Sequence, residues 1–431
     1  MGRLPLTAPG RAAEPSAVRR AARLAEPNAR PAEPAEPAEP AEPTVRPAEP
    51  AEPAEPAEPA EPPTTPAPRP GRLDPVARVT LQTIADRLGV SRMTVSNAFS
   101  RPDQLSADLR AQVLAVADEL GYVGPHPAAR ALASGNAGNV GLLMSDSLSY
   151  AVTDHVAIAL LAAIADELGP TGRALTLLPT TKDQPFVPAR DVAMDGALVH
   201  SCIPKSDSVQ WLLRRGLPLV FVDQDPERGY SSVNIDDRGG ARAAAEHLVQ
   251  LGHRRIGIAT TGFGGDVGIL DDPLTAAVAQ VERERIRGWL EALTAAGIEP
   301  VTVRVPHTDP AQNGREAAEV LLAQRPRPTA ILCYSDAVAS GVLRTAVAAG
   351  LEVPRDLSLV GFDDSPLARE LRPELTTVRQ DVAAKGRAAI KALTEAIDAE
   401  RAGRTKRPRR VLMPTELVVR ETTAAPPRAK R

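Results

Sequence analysis

Between Thr80 and Leu120 the apolar positions recur three and four residues apart, the spacing of amphipathic helices. Leu81, Ile84, Ala85 and Leu88 share one face, Thr80 precedes them as an N-cap, and Gly89 follows as the residue best suited to a left-handed stop. Val90 is an apolar plug in the turn. Ser91 caps a second helix, Arg92 to about Phe99, with Val95, Ala98 and Phe99 inward. A third helix is capped by Ser106, carries Leu109, Val113, Val116, Ala117 and Leu120 on one stripe, and stops at Gly121.

Beyond Gly138 the period changes. Short apolar runs, NVGLLMS, ALTLLP, DGALVHS, LPLVFVD, SSVNID, RIGIAT, TAILCYS and LSLVGFD, alternate with Ala-rich amphipathic stretches such as Gly239–Leu251 and Arg285–Ala296. Unbroken apolar runs of this length predict parallel strands buried on both faces. The alternation predicts a doubly wound α/β architecture with ligands at the carboxyl ends of the strands. The segment is long for one such sheet, and two similar lobes flanking a cleft fit it better. RRVLMPTELVVRE reads as one last strand before a disordered tail rich in Pro, Lys and Arg.

The start of the chain is of another kind. Ala-Glu-Pro triplets run from Ala32 to Pro43 and from Ala48 to Pro62. Proline at every third position blocks helix, and regular glutamates repel one another, which predicts an extended, polyproline-II-biased tail. An acidic spacer, a tolerated linker and a start codon placed too far upstream remain open readings of it. The expected divisions are a disordered tail over 1–76, a helix-turn-helix domain over 77–124, a hinge over 125–137, a two-lobed α/β domain over 138–421 and a disordered tail over 422–431.

Composition narrows the classes. A net charge of -3 leaves nucleic-acid binding to a local patch rather than a global field. Cys202 and Cys333 form no C-x-x-C pair, which argues against a disulfide scaffold and a cysteine zinc site. His247 and His253 read as structural, with histidines spread too thinly for a metal. No apolar run has the length of a membrane span, and no signal-peptide pattern is present, so a cytoplasmic chain without cofactor is the expectation.

The second helix turns Arg92, Met93, Ser96 and Asn97 outward near its start, the positions a recognition helix offers to the major groove. Arginine donates to guanine or phosphate, asparagine pairs with adenine, and methionine packs on a thymine methyl. A three-helix bundle that binds no nucleic acid has the same periodicity.

At this point the chain resembles the lactose-repressor (LacI) family. VTLQTIADRLGVSRMTVS is similar to the family's opening, the LGY of Leu120, Gly121 and Tyr122 to the residues before its hinge, and Ala129, Arg130, Ala131 and Leu132 to the hinge pattern. The resemblance continues through VNIDDRGGARAAAEHLVQLGHRRIGIAT, RIRGWLEALTAAGI, PTAILCYSDAVASGVLRTAVAAGLEVPRDLSLVGFDD and PELTTVRQD. It implies an all-α headpiece joined to a periplasmic-binding-protein-like two-lobed domain. It implies a dimer, or a tetramer, on a pseudo-palindromic double-stranded DNA operator, with repression controlled by a small molecule, commonly a sugar.

Residue by residue, the resemblance implies DNA contacts from Thr80, Arg92, Met93, Thr94, Ser96 and Asn97. Leu132 would wedge into the minor groove, with Ala128 and Ala129 as small neighbours. For the effector it implies Arg285 as a forked donor and Asp363 as an acceptor, with Tyr150, Asp154, Asp223, Ser335 and Asp336 as further candidates. Helix or turn capping is the competing reading of Asp336 and Asp363, and a surface salt bridge that of Arg285. Tyr150, Phe263, Trp289 and Tyr334 are the aromatics available as sugar platforms. A solute-binding protein would lack the headpiece and carry a signal peptide. An α/β enzyme would carry a dinucleotide, phosphate-loop or nucleophile-elbow motif, and none is found.

Overall fold

A computed structural model describes residues 79–124, 126–144, 153–180, 185–203, 206–262, 267–306, 310–405 and 407–427. The Ala-Glu-Pro segment, Tyr150 and Phe263 lie outside the described residues.

Three helices open the described chain: α1 (Leu81–Leu88), α2 (Arg92–Ser100) and α3 (Ala107–Glu119). Each starts where a hydroxyl can satisfy the orphan amides of a first turn. Thr80 accepts from the Thr83 amide while Thr83 reciprocates, Ser91 accepts from the Thr94 amide, and Ser106 accepts from the Leu109 amide. Gly89 ends α1 at φ 64°, a left-handed conformation that any side chain would strain. Ile84, Ala85, Val95, Ala98, Val113 and Ala117 form the buried core of the three, and Phe99 and Tyr122 pack against it edge to face. A fourth helix, α4 (Pro127–Ser134), follows.

The remainder forms two sheets. The first has the order β12-β5-β4-β3-β1-β2, all parallel. Its strands are β1 (Asn139–Met144), β2 (Ala174–Leu178), β3 (Gly196–His200), β4 (Leu219–Val222), β5 (Ser231–Ile235) and β12 (Arg410–Met413). The second has the order β13-β11-β10-β9-β6-β8-β7. It contains β6 (Ile256–Gly262), β7 (Gly268–Ile269), β8 (Val301–Pro306), β9 (Ala330–Cys333), β10 (Ser358–Asp363), β11 (Thr376–Arg379) and β13 (Glu416–Val418). Only the edge strands β7 and β13 run antiparallel there. Each sheet buries both faces under helices, with two clusters of Leu, Val, Ile and Ala per lobe. The chain passes between lobes after β5, after β11 and between β12 and β13.

Several expectations are corrected. RRVLMPTELVVRE is two strands in different sheets, because Pro414 lacks the amide that would continue the first ladder and the chain crosses between lobes there. VTVRVP is β8, whose Thr and Arg interrupt the apolar run, and TTVR is β11. Thr376 and Thr377 are fully buried in β11 with their hydroxyls matched by Thr423 and Asp336, so a core strand looks polar in sequence. The helix over Arg285 begins earlier, at Gln280. The tail expected to be disordered from 422 is held as far as Ala424. Thr422 donates to the Leu359 carbonyl at 2.8 Å, and His253 Nε2 meets the Ala424 carbonyl at 2.9 Å. Small hydroxyl residues there match polar groups along the β10 and β11 ends, which composition alone does not show.

Candidate functional site

Two separate arrays of polar side chains stand out. The first is on α2. Arg92 is exposed and Met93 is 68% exposed, an unusual position for a large apolar side chain. Ser96 and Asn97 are half-buried, with Asn97 Nδ2 3.3 Å from Gln104 Oε1. Thr80 and Thr94 are partly committed: Thr80 closes the capping box of α1, and the Thr94 hydroxyl lies 2.8 Å from that of Ser91. On α4, Ala129 is exposed and Leu132 is 88% exposed. Ala128 lies in the same helix.

The second array is buried at the carboxyl ends of the strands of both lobes, where an open α/β sheet binds its ligands. Asp223 follows β4, Asp237 follows β5, Tyr334 follows β9, Asp363 ends β10 and Gln380 follows β11. Arg285 projects from the helix Gln280–Ala295 and is 4% exposed. Its Nε donates to Asp237 Oδ1 at 2.8 Å, its Nη1 donates to the Tyr334 carbonyl at 2.5 Å, and its Nη2 stands 3.5 Å from Asp363 Oδ1. The guanidinium also stacks over Phe362, 3.6 Å from the ring centroid. The surface salt bridge that Arg285 offered as an alternative is thereby excluded.

Asp223 sits on the first lobe's side. Its Oδ2 accepts from Lys385 Nζ at 2.6 Å and lies 3.2 Å from His200 Nε2. Lys385, on the helix Val382–Arg401, also donates to Gln380 Oε1 at 2.8 Å, and Gln380 Nε2 donates to Asp363 Oδ1 at 2.8 Å. Lys385 and Gln380 therefore link a carboxylate of one lobe to a carboxylate of the other.

Desolvation governs the protonation of this group. Burial pushes Asp237 up to about 6 despite Arg285, and raises Asp363 well above the ordinary carboxylate range. Burial also acts to raise Asp223, but Lys385 and His200 more than offset it and hold the carboxyl below its usual value. Arg285 stays above the usual arginine value because Asp237 and Asp363 outweigh its burial.

The remaining candidates differ. Ser335 caps the helix Asp336–Ala348. Asp336 accepts from the Ser365 amide at 2.7 Å and from Thr377 at 2.5 Å, tying three elements together, and burial raises it to about 7. Cross-linking of these elements therefore accounts for its contacts, while the capping falls to Ser335. Asp154 caps the helix His155–Leu168, and its charge reaches Asp363. A recess of about 360 Å³ opens beside Asp363, lined by His155 and Val156 from that helix and by Asp364, Arg379 and Gln380 opposite. Trp289 is no platform: it is 1% exposed within the apolar core of the second lobe.

Backbone strain falls in the same places. The non-glycine residues with positive φ among the described residues are Ser201, Asp223, Asp363 and Asp364, all just at or beyond strand ends. Such conformations cost about 1–3 kcal/mol each and persist where function or surroundings demand them.

Asp237, Gln380, Lys385 and His200 were missed from sequence. Asp237 and Gln380 stand in the runs VNIDD and TTVRQD, immediately after strand-like residues, so the strand-end rule could have found them. Lys385 has no such signal, being one of two lysines on an ordinary amphipathic helix.

A capped three-helix unit with a polar, exposed second helix, joined to two lobes around a buried polar cleft, defines a ligand-sensing DNA-binding regulator. The comparisons agree. Residues 80–124 match the model described as "Bacterial regulatory proteins, lacI family", and residues 245–423 match a periplasmic-binding-protein-like domain. The chain is 38% identical over 333 residues to the HTH-type transcriptional regulator IpsA of Corynebacterium glutamicum, covering 74% of this chain and 92% of that one. Among solved structures, a CelR–cellobiose complex matches with 29% identity and a TM-score of 0.56, covering 80% of this chain and 100% of that one. The lac repressor dimer bound to operator and the anti-inducer ONPF matches with 26% identity and a TM-score of 0.64, covering 80% and 99%. The chain belongs to the LacI family and is a DNA-binding transcriptional regulator. No described helix is long and apolar enough to cross a membrane.

Proposed function

We propose that this chain is a dimeric repressor that occupies a pseudo-palindromic operator and is controlled by a small polyhydroxyl effector, a sugar or a near relative, held between its lobes. It works in the cytoplasm, without catalysis, through a headpiece over 77–124, a hinge over 125–137 and a sensor over 138–421. The observation that carries this reading is the joint presence of an exposed recognition-helix face, Arg92 and Met93, and a desolvated cluster of carboxylates and guanidinium at the strand ends of both lobes. Arg92, Met93, Ser96 and Asn97 read bases, Thr80 and Thr94 support the phosphate contacts, and Leu132 wedges at the centre of the site beside Ala128 and Ala129. Arg285, Asp363, Asp223 and Asp154 face the effector, with Ser335 and Asp336 at its margin.

The mechanism is linkage. Two headpieces on a dimer reach two half-sites at fixed spacing. An effector alters operator affinity only by binding one arrangement of the lobes more tightly than the other. A gel-shift assay on the DNA upstream of the chain's own coding region, with and without sugars, tests it. Discrete complexes that weaken with salt and respond to one sugar are expected. Indifference to all double-stranded DNA overturns the proposal.

A further inference from the structure

The proposed function leaves open the kind of polyhydroxyl compound, and this inference rests on that reading of the cleft. We infer that the site takes an uncharged polyhydroxyl molecule and rejects phosphorylated and carboxylated derivatives, with Asp223 Oδ1 as an acceptor reserved for a ligand hydroxyl and Lys385 as its positioning residue.

The two oxygens of Asp223 are treated differently. Oδ2 takes both Lys385 and His200, whereas Oδ1 is buried and has no hydrogen-bond partner among the described residues. An unmatched buried acceptor is costly, a penalty that a ligand donor would remove. The residue also stands at φ 55°, in a left-handed conformation that few residues other than glycine, asparagine and aspartate adopt. Both features place this carboxylate deliberately at the end of β4. Lys385, 1% exposed, fixes it from behind, and the same ammonium reaches Asp363 through Gln380.

Charge count selects the ligand. The two buried cations of the cluster are already matched, Arg285 by Asp237 and Asp363, and Lys385 by Asp223. Asp154 adds a further negative influence on Asp363. A phosphate or carboxylate would enter among these oxygens, while Arg379 and Arg369 at the adjoining recess are paired with Asp364, and like charges brought together at low dielectric repel strongly. A neutral hydroxyl meets no such obstacle, since it donates to Oδ1 and accepts from a guanidinium at no net charge.

The test uses the purified full chain in a thermal-shift and calorimetric screen of pentoses, hexoses, disaccharides and alditols. Each is paired with its phosphate ester and its aldonic or uronic acid. The expected result is that an uncharged member binds and that its charged derivatives bind at least about tenfold more weakly. A charged derivative that binds as well or better overturns this inference and leaves a sugar-type effector standing. Silence of the whole set, from a chain that still retards its operator, overturns the polyhydroxyl reading itself.

With the uncharged ligand in hand, Asp223→Asn should weaken it by about tenfold or more and narrow its advantage over the phosphate ester, because a repelling charge is gone. Lys385→Met should weaken the same ligand, and Lys385→Arg should recover part of the loss. Should Lys385→Met fail to fold, the Asp223→Asn selectivity ratio decides alone. An unchanged ratio overturns the role of Asp223.

Discussion

Arg285 and Asp237 form a buried ion pair that joins the helix Gln280–Ala295 to the start of the helix Asp237–Gln250, with Nε and Oδ1 2.8 Å apart. Removing the arginine leaves Asp237 and Asp363 buried without their cation. Breaking such a pair from one side costs about 3–5 kcal/mol. Arg285→Ala should therefore lower the melting temperature by several degrees as well as abolish the effector response. Because the stranded carboxylates can take up protons, the loss in stability should shrink as pH falls from 7 to 5. Melting curves of wild type and variant across that range check this, and a pH-independent difference would contradict it.

Much of this chemistry was legible beforehand, and the reasons are local. Thr80, Gly89 and Ser91 determine helix ends through hydrogen bonds and φ angles that involve only near neighbours. Asp223 and Asp363 stand where parallel strands deliver ligands, at their carboxyl ends, whereas Arg285, inside a helix, was reached only through the family resemblance. What escaped reading depends on distant partners. Thr376 and Thr377 look exposed until Thr423 and Asp336 supply their partners, and Lys385 looks like surface until the helix Val382–Arg401 lays it against Asp223.

The exposed side chain of Arg92 predicts a function-only phenotype. It lies outside the apolar core of α1, α2 and α3, so Arg92→Ala should leave melting unchanged. Loss of a base-reading arginine costs about 1–3 kcal/mol of discrimination, roughly a ten- to hundredfold loss of operator affinity over competitor DNA. Quantitative gel shifts measure it, and unchanged discrimination would remove α2 as the reading helix.

Leu132 is 88% exposed on α4, a solvent cost that DNA insertion would repay. Leu132→Ala should weaken operator binding more than binding to random DNA, since only the specific complex pays for unstacking. Equal losses on both would make it an ordinary linker residue.

Gly288 brings two helices together so closely that a β-carbon would stand 2.2 Å from the Arg238 carbonyl oxygen. That neighbour is backbone and cannot swing aside. Gly288→Ala should push the helix Gln280–Ala295 away from its partner, costing about 1–3 kcal/mol by overpacking and displacing Arg285, three residues earlier. Weaker effector binding together with a lower melting temperature is the expected pair of results. A stable variant with full effector affinity would show that this contact does not position the arginine.

His253 supplies the pH dependence of the C-terminal strap. It is 1% exposed, with Nδ1 2.9 Å from Thr329 Oγ1 and Nε2 2.9 Å from the Ala424 carbonyl. Burial holds its pKa below the ordinary 6.5, the Ala424 carbonyl opposing this only in part. The unfolded chain therefore gains a proton near pH 6.5 that the folded chain refuses. The stability contributed is complete above that pH and is lost progressively below it, down to the folded value. Asp237 and Asp336, raised to about 6 and about 7, act in the opposite sense, since their folded forms bind protons first and gain stability as pH falls. Comparing wild type with His253→Gln cancels those two. The difference in melting temperature should be steady above pH 7 and should shift towards the variant as pH falls from 6.5, and a difference that is flat with pH would mean that His253 is protonated alike in both states.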